Sequence, residues 1–248
     1  MIRVESESGV TTVTLGRADR GNALSAELVD ALSGAVDRAC ADPDVHTIVV
    51  AGAGRHLCTG LDLSDLETSS DGDLLARLVR IETLLALLWH APVRTVAVAT
   101  GRTWGAGADL FAACDLRLAA ADATFRFPGA GFGIVLGTRR LAERVGTDRA
   151  RQWVAGGVEV DAAQALAGGL ATTLIESDGA AGADAVRASI GPAPAVDRDT
   201  LAATRAATRA DHRDADLAAL VRSAARPGLA ARIAAYRDRL RAAPRAPR

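Results

Sequence analysis

The sequence predicts an α/β protein of stacked ββα turns with a C-terminal helical extension, and three observations carry that prediction. β-patterned and helix-patterned runs follow one another as strand, strand, helix, loosely repeated up to Ile175 and without a visible sequence repeat. A glycine-rich stretch, Thr100 to Leu110, joins a strand-like run directly to an apolar helical run. From about Ala195 the composition shifts to Ala, Arg and Asp with helical periodicity, which divides the chain into a core over 1–194 and a helical region over 195–248.

Taken in order, Ile2 to Glu5 and Val10 to Leu15 alternate apolar and polar residues about Ser8-Gly9, the pattern of a β-hairpin. Arg17 to Asn22 reads as a polar loop. Ser25 is placed to cap a helix whose one face carries Leu28, Val29, Leu32, Val36 and Ala39, and Asp42-Pro43-Asp44 ends it. His46 to Ala51 is a short strand of the buried type, turned by Gly52-Ala53-Gly54 into the segment Arg55 to Leu63. A second helix over Asp73–Trp89 leads through Pro92 to the strand Val93–Ala99.

Beyond the glycines, Ala106 to Ala113 is helical, and Asp115 to Ala119 and Thr124 to Phe127 are short strands. Thr138 to Gly168 reads as three short helices, punctuated by Gly146-Thr147-Asp148 and Gly156-Gly157, with Val160-Asp161 starting the last. Leu170 to Ile175 is a final strand. Thr200 to Ala225 and Leu229 to Arg241 are amphipathic helices broken at Arg226-Pro227-Gly228, and such helices need the core or another subunit to pack against. The end, from Ala243, is expected to fray.

Composition narrows the function. At 248 residues, 49% hydrophobic and 24% charged, the chain has the make-up of one sizeable globular domain, or a domain plus an extension. A net charge of −1 gives no reason to expect nucleic acid as a partner. All basic residues are arginine, and the absence of lysine excludes Schiff-base chemistry, the Tyr-x-x-x-Lys dyad and a phosphate-cradling P-loop. Cys40, Cys58 and Cys114 are odd in number and widely spaced, as in a cytosolic protein with reduced thiols. His46, His56, His90 and His212 form no ligand pair at helical spacing, so no metal is expected. The polar N-terminus lacks a signal peptide's apolar stretch, and Leu84 to Trp89 is too short to span a bilayer. A soluble, cytoplasmic protein without a membrane partner is the expectation.

The glycine-rich stretch has two readings. Gly101, Gly105 and Gly107 leave the backbone unshielded where a helix begins, and free N–H groups with positive dipole character suit an oxygen that carries or develops negative charge. A turn that merely lets a helix pack on a strand needs the same glycines. A dinucleotide fingerprint is excluded, because Leu110 stands where its third glycine belongs.

Five pieces in one order then resemble the crotonase superfamily, the enoyl-CoA hydratase/isomerase family. They are Asn22-Ala23-Leu24-Ser25, Leu57-Cys58-Thr59-Gly60-Leu61-Asp62-Leu63, Gly101 with Gly105-Ala106-Gly107, Ala113 to Ala119, and Ala123-Thr124-Phe125-Arg126-Phe127-Pro128. The match runs from about Arg17 to Ile175, more weakly into the C-terminal helices. The resemblance implies a crotonase-like spiral of ββα turns and an acyl-CoA thioester as substrate, with coenzyme A entering as part of that substrate and no separate cofactor. It implies an enolate whose oxygen is held by two backbone amides, those of Thr59 and Ala106, one such donor being worth roughly 3 kcal/mol. It sets the nucleotide against Gly21 to Leu24, with Ala23 and Leu24, and against Leu57 to Gly60. Arg20 and Arg55 become candidates for the phosphates, or are ordinary surface arginines. Leu61, Asp62, Leu63, Trp104, Gly105, Pro128, Gly129 and Phe132 complete the implied substrate contacts, although Asp62 also suits the cap of a following short helix. The family's role in lipid metabolism and its homotrimers or hexamers, built through the C-terminal helices, are implied as well.

The chain departs from the family pattern at both catalytic glutamate positions, besides having Thr59 and Ala106 where the family usually has alanine and glycine. Hydratases of the family activate one water between two glutamates. Asp109 stands at the first, about 1.5 Å shorter in reach, and also suits the first turn of a helix as a dipole partner. Gly129 stands at the second and cannot move a proton. The following segment, Ala130 to Thr138, is shorter than usual and lacks Pro-Gly-x-Gly-Gly, and Glu143 reads as a surface residue. Two readings stay open: an isomerase- or lyase-type enzyme using Asp109 as base, with His56 or Asp65 as outside candidates, and a non-catalytic acyl-CoA binder or carrier. The acyl pocket wall is expected from Asp65 to Arg80.

Overall fold

The computed structural model describes residues 1–176 and 183–242, the side chains of 183–185 excepted. The expected fraying from Ala243 lies outside those residues. The chain opens with β1 (Ile2–Glu7) and β2 (Val10–Leu15), an antiparallel pair, then α1 (Ala26–Ala41), β3 (Thr47–Gly52) and α2 (Asp71–His90). It continues with β4 (Arg94–Ala99), β5 (Arg102–Trp104), α3 (Ala106–Ala113), β6 (Leu116–Ala120) and β7 (Thr124–Arg126). A 3-10 turn (Pro128–Phe132), α4 (Thr138–Val145), α5 (Thr147–Gly156), β8 (Val160–Asp161), α6 (Ala162–Ala167) and β9 (Thr173–Ile175) follow. The remainder is helical: α7 (Ala183–Ile190), α8 (Arg198–Thr208), α9 (Arg213–Ala224) and α10 (Leu229–Ala242).

The two sheets explain the ββα rhythm. One has the order β1-β2-β3-β4-β6-β9 and is parallel from β2 onward; the other has the order β5-β7-β8. Two turns of the chain give one strand to the large sheet, then cross and give a short one to the small sheet before the next helix. Thus β4 and β5 precede α3, and β6 and β7 follow it, with β5 parallel to β7. Earlier turns join the same stack through single bridges, Leu24 to Leu61 and Cys58 to Thr103. This is the spiral of ββα turns.

Local chemistry accounts for the boundaries. Ser25 Oγ accepts from Leu28 N–H at 3.2 Å, and the six buried residues of α1 lie on its predicted face, with Ala35 added to the five expected. Ser70 and Asp73 form a reciprocal capping box, so α2 starts two residues before the expected Asp73. The main core joins α1, α2, α3 and the sheet through side chains such as Leu32, Leu85, Phe111 and Phe125.

The C-terminal region differs from expectation. Thr200–Ala225 is two helices, α8 and α9, broken over 209–212. Arg205 and Arg209 both reach the Asp115 carboxylate and the Trp89 carbonyl, which fixes the end of α8 against the core. A second apolar cluster joins Leu74 and Leu78 of α2 to Leu220 and Ala224 of α9 and Leu229 and Ile233 of α10. Of the helices beyond 195, α9 and α10 bury apolar residues in this cluster, while α8 buries none and is held by its arginines.

Candidate active site

Between the two clusters lies a cavity of about 190 Å³. Ten of the expected site residues line it: Thr59, Gly60, Leu61, Leu63, Gly105, Ala106, Asp109, Pro128, Gly129 and Phe132. Gly105 caps α3 at φ 55 and ψ −130, a conformation only glycine adopts readily, and this turns the Ala106 amide outward at the helix start. Across from it, a Cβ on Gly60 would stand 2.9 Å from Trp104 O and 3.5 Å from Ala106 N, so the two backbone segments meet here.

The amide assignment requires a correction. Thr59 N–H donates to Gly21 O at 3.0 Å and is already engaged, so it is not a donor for a ligand. Two residues on, the Leu24 bridge takes Gly60 O and Asp62 N–H, at 2.8 and 3.1 Å, and in a bridged strand the intervening N–H points the other way. Neither Leu61 N–H nor Ala106 N–H meets an acceptor among the described residues. Leu61 and Ala106 therefore present the unengaged pair. The resemblance implies Leu61 as a substrate contact and not as a donor to the thioester oxygen. The signal that identifies its amide is the pairing partner of the flanking residues, which lies far away in sequence.

Asp109 sits in the first turn of α3, 5% exposed, with Oδ1 buried and lacking a partner among the described residues. Burial pushes its carboxyl well above the usual range; the Glu82 carboxylate adds to the rise and Arg140 opposes it. Those two form a buried bidentate pair at 2.7 and 3.1 Å, with Asp216 3.3 Å from Arg140. The cavity's other ionisable side chains are Tyr236 and Arg237.

Seven expected residues lie elsewhere. Leu24 and Leu57 are core side chains and Ala23 is buried beside them. Asp62 pairs with Arg17 at 2.8 Å and accepts from Ser64 N–H at 3.0 Å, but a turn and not the expected short helix follows it; burial raises its pKa, but these bonds outweigh burial and hold it below the usual range. Trp104 donates through Nε1 to Thr124 Oγ1 and is flanked by the guanidinium groups of Arg102 and Arg126. Arg20 and Arg55 are exposed. The outside candidate bases are also away from the cavity: His56 Nδ1 accepts from Arg102 N–H at 3.0 Å, and Asp65 is bound to Arg77. Glu143 pairs with Arg139 on the surface of α4.

The acyl wall differs as well. Of Asp65 to Arg80, only Leu78 reaches the cavity. Phe127, Ile134, Leu136, Val154, Ile233, Tyr236 and Leu240 supply most of the apolar lining, from segments the sequence does not connect. All three cysteines are free, and burial pushes the Cys58 and Cys114 thiols up to about 12, which leaves both inert. Among the described residues no His, Cys, Asp and Glu cluster could hold a metal ion, and no helix is long and apolar enough to cross a membrane.

Comparisons with known proteins agree with this architecture. The family model described as enoyl-CoA hydratase/isomerase matches residues 5–188. A Mycobacterium tuberculosis relative designated enoyl-CoA hydratase EchA14 is 34% identical over 209 residues, 81% of this chain and 78% of its own. A crystal structure of an enoyl-CoA hydratase/isomerase-type protein from Bordetella parapertussis superposes with a TM-score of 0.89 at 46% identity, covering 98% of this chain and 99% of that one. An enoyl-CoA hydratase/isomerase from Xanthobacter autotrophicus Py2 gives 0.79 at 28% identity, over 96% and 97% of the chains.

Proposed function

Because the chain belongs to the enoyl-CoA hydratase/isomerase family, we propose that it binds an acyl-CoA thioester with the thioester oxygen against the Leu61 and Ala106 amides and handles an enolate with Asp109 as its single proton carrier. The observation that carries this reading is the coincidence of two unengaged amides and one buried carboxyl on one cavity wall. As negative charge develops on the oxygen, two fixed N–H donors stabilise it more than they stabilise the ground-state carbonyl.

Asp109 supplies the proton step. Its ionised form takes a proton from the carbon next to the thioester, giving the enolate and a neutral carboxyl. That carboxyl returns the proton at another carbon of the conjugated system, so the double bond moves and no water is consumed. A carboxylate whose pKa is raised by burial is a stronger base than one in water, which suits a weakly acidic carbon. The reaction is of the isomerase or lyase type. Two-carboxylate hydration is disfavoured, because Gly129 occupies the wall where a second acid would stand.

That same glycine favours a second reading, a protein that holds acyl-CoA without turnover. In either reading Arg20 and Arg55 are proposed to meet the coenzyme A phosphates from the surface. The chain is further proposed to act in the cytoplasm as a homotrimer or hexamer. A panel of enoyl-, dienoyl- and hydroxyacyl-CoA thioesters, followed by absorbance and mass spectrometry with an Asp109→Ala control, tests the choice. Turnover lost in Asp109→Ala supports the enzyme, and tight binding without turnover supports the carrier. Robust crotonyl-CoA hydration that survives Asp109→Ala overturns the acid–base assignment.

A further inference from the structure

We infer that the site takes a short, uncharged aliphatic acyl group and that Tyr236 of α10 sets the length it accepts, an inference that rests on acyl-CoA binding as proposed above. The cavity holds about 190 Å³, and at roughly 30 Å³ for a small group such as water it admits on the order of six non-hydrogen atoms. Its walls away from the amides are aliphatic or aromatic: Leu63, Leu78, Ile134, Leu136 and Ile233 among them.

Charge narrows the acyl group further. Asp109 is the one buried ionisable group on the wall, and it brings no positive charge to meet a second carboxylate. Arg237, the one cation of the lining, is turned to Glu67 at 2.7 Å. An acyl group ending in a carboxylate would be stripped of water without an unengaged partner, a strongly unfavourable transfer.

Tyr236 is locked where it stands. Its ring packs on Phe132, with centroids 5.3 Å apart, and lies so close to Gly131 that a Cβ there would stand 2.5 Å from Tyr236 Cε2. The glycine lets α10 settle onto the 3-10 turn, with the ring as part of the cavity wall. The Glu67–Arg237 pair, one residue further along α10, ties the helix to the 61–70 segment. A longer chain must displace this packed ring.

The test is a binding series of saturated straight-chain acyl-CoA thioesters, from acetyl to decanoyl, measured by calorimetry beside coenzyme A alone. Glutaryl-CoA is compared with pentanoyl-CoA, which has the same number of carbons without the terminal charge. Affinity is expected to rise about fourfold per methylene until the cavity is filled, then to level or fall. Glutaryl-CoA should bind at least about tenfold more weakly than pentanoyl-CoA. Tyr236→Ala should move the optimum to longer chains, while Tyr236→Phe, which keeps the ring, leaves it in place. Acyl-CoA binding with no length cut-off, an unmoved cut-off in folded Tyr236→Ala, or equal affinity for glutaryl- and pentanoyl-CoA overturns this inference alone. Failure of every thioester to bind better than coenzyme A overturns the acyl-CoA reading with it.

Discussion

The Asp109 side chain rests on the backbone of Gly137: a Cβ at 137 would stand 2.5 Å from Asp109 Cγ and 2.8 Å from its Cβ. Gly137 caps α4 at φ 64 and ψ −6, so the glycine is required both by its backbone and by the carboxyl. Gly157, which ends α5 at φ 59 and ψ 30, shares the left-handed backbone but has nothing within 4 Å of its notional Cβ. Alanine at 157 should cost about 1–2 kcal/mol, the left-handed penalty alone. Alanine at 137 should lose a further ~1–3 kcal/mol through overpacking and any Asp109-dependent activity. Urea unfolding of both variants checks this, and equal losses would contradict the contact.

Asp109 should also make stability depend on pH. Folding raises its pKa, so between the unfolded value, about 3.9, and the folded value the native state binds the proton that the unfolded chain releases. Stability from this group is therefore fully present below about pH 4 and is lost as pH rises through the folded pKa. Asp109→Asn does not titrate. Its stability relative to the parent should rise with pH across that window, by about 1.4 kcal/mol for each tenfold change in proton affinity. Melting curves from acid to neutral pH test it; a constant difference would refute the assignment.

The buried pair behind Asp109 should respond unequally to its two removals. Arg140→Met strands the Glu82 carboxylate, whose side chain is 3% exposed, and should cost about 3–5 kcal/mol. Glu82→Gln leaves Arg140 with Asp216 at 3.3 Å and keeps a polar partner, for a loss of about 1–3 kcal/mol. Denaturant midpoints give the order, and a larger loss in Glu82→Gln would reverse the account.

Local signals in the sequence extended to the fold more fully than to the site. Ser25 and the apolar face of α1, the hairpin about Ser8-Gly9, and the strand–glycine–helix junction at Ala106 each depend on neighbouring residues, and each was legible. What the sequence did not disclose depends on partners far along the chain. Thr59 N–H is engaged by Gly21, 38 positions earlier, and so yields the donor role to Leu61. Arg140 meets Glu82 across 58 positions, which alters the setting of Asp109 without touching its motif. The break between α8 and α9 falls at Arg209-Ala210-Asp211-His212, where Arg205 and Arg209 converge on the distant Asp115 and Asp211 accepts from the Arg213 N–H at the start of α9. The acyl wall on α10 is a tertiary contact of the same kind.

Restoring the second acid is a direct test of what Gly129 removes. A Cβ at 129 would meet Ile134 O at 3.3 Å, a contact that needs only a few tenths of an ångström of adjustment. Gly129→Glu should therefore fold and should raise crotonyl-CoA hydration over the parent by about tenfold or more. That is below the 10²–10⁴ typical of general acid–base groups, because Asp109 remains a methylene short. Loss of the conjugated thioester's absorbance reads it. A folded variant with unchanged hydration would mean that the missing second acid is not what limits this cavity.

The amide pair can be tested without disturbing a side chain. Ala106 is the first helical residue of α3, where proline is tolerated because its missing N–H has no partner in the helix. Ala106→Pro thus deletes one donor and places a ring carbon where the thioester oxygen would lie. Circular dichroism should remain that of the parent. The Asp109-dependent reaction should slow by about 10²–10³, as for loss of a single oxyanion donor, or, for a carrier, acyl-CoA should bind less tightly while free coenzyme A is unaffected. Thr59 offers no equivalent experiment, since proline there would break its 3.0 Å bond to Gly21 O and confuse folding with function. Full activity in a folded Ala106→Pro protein would remove the α3 terminus from the chemistry, and the Leu61 amide alone could not hold a developing oxyanion in place.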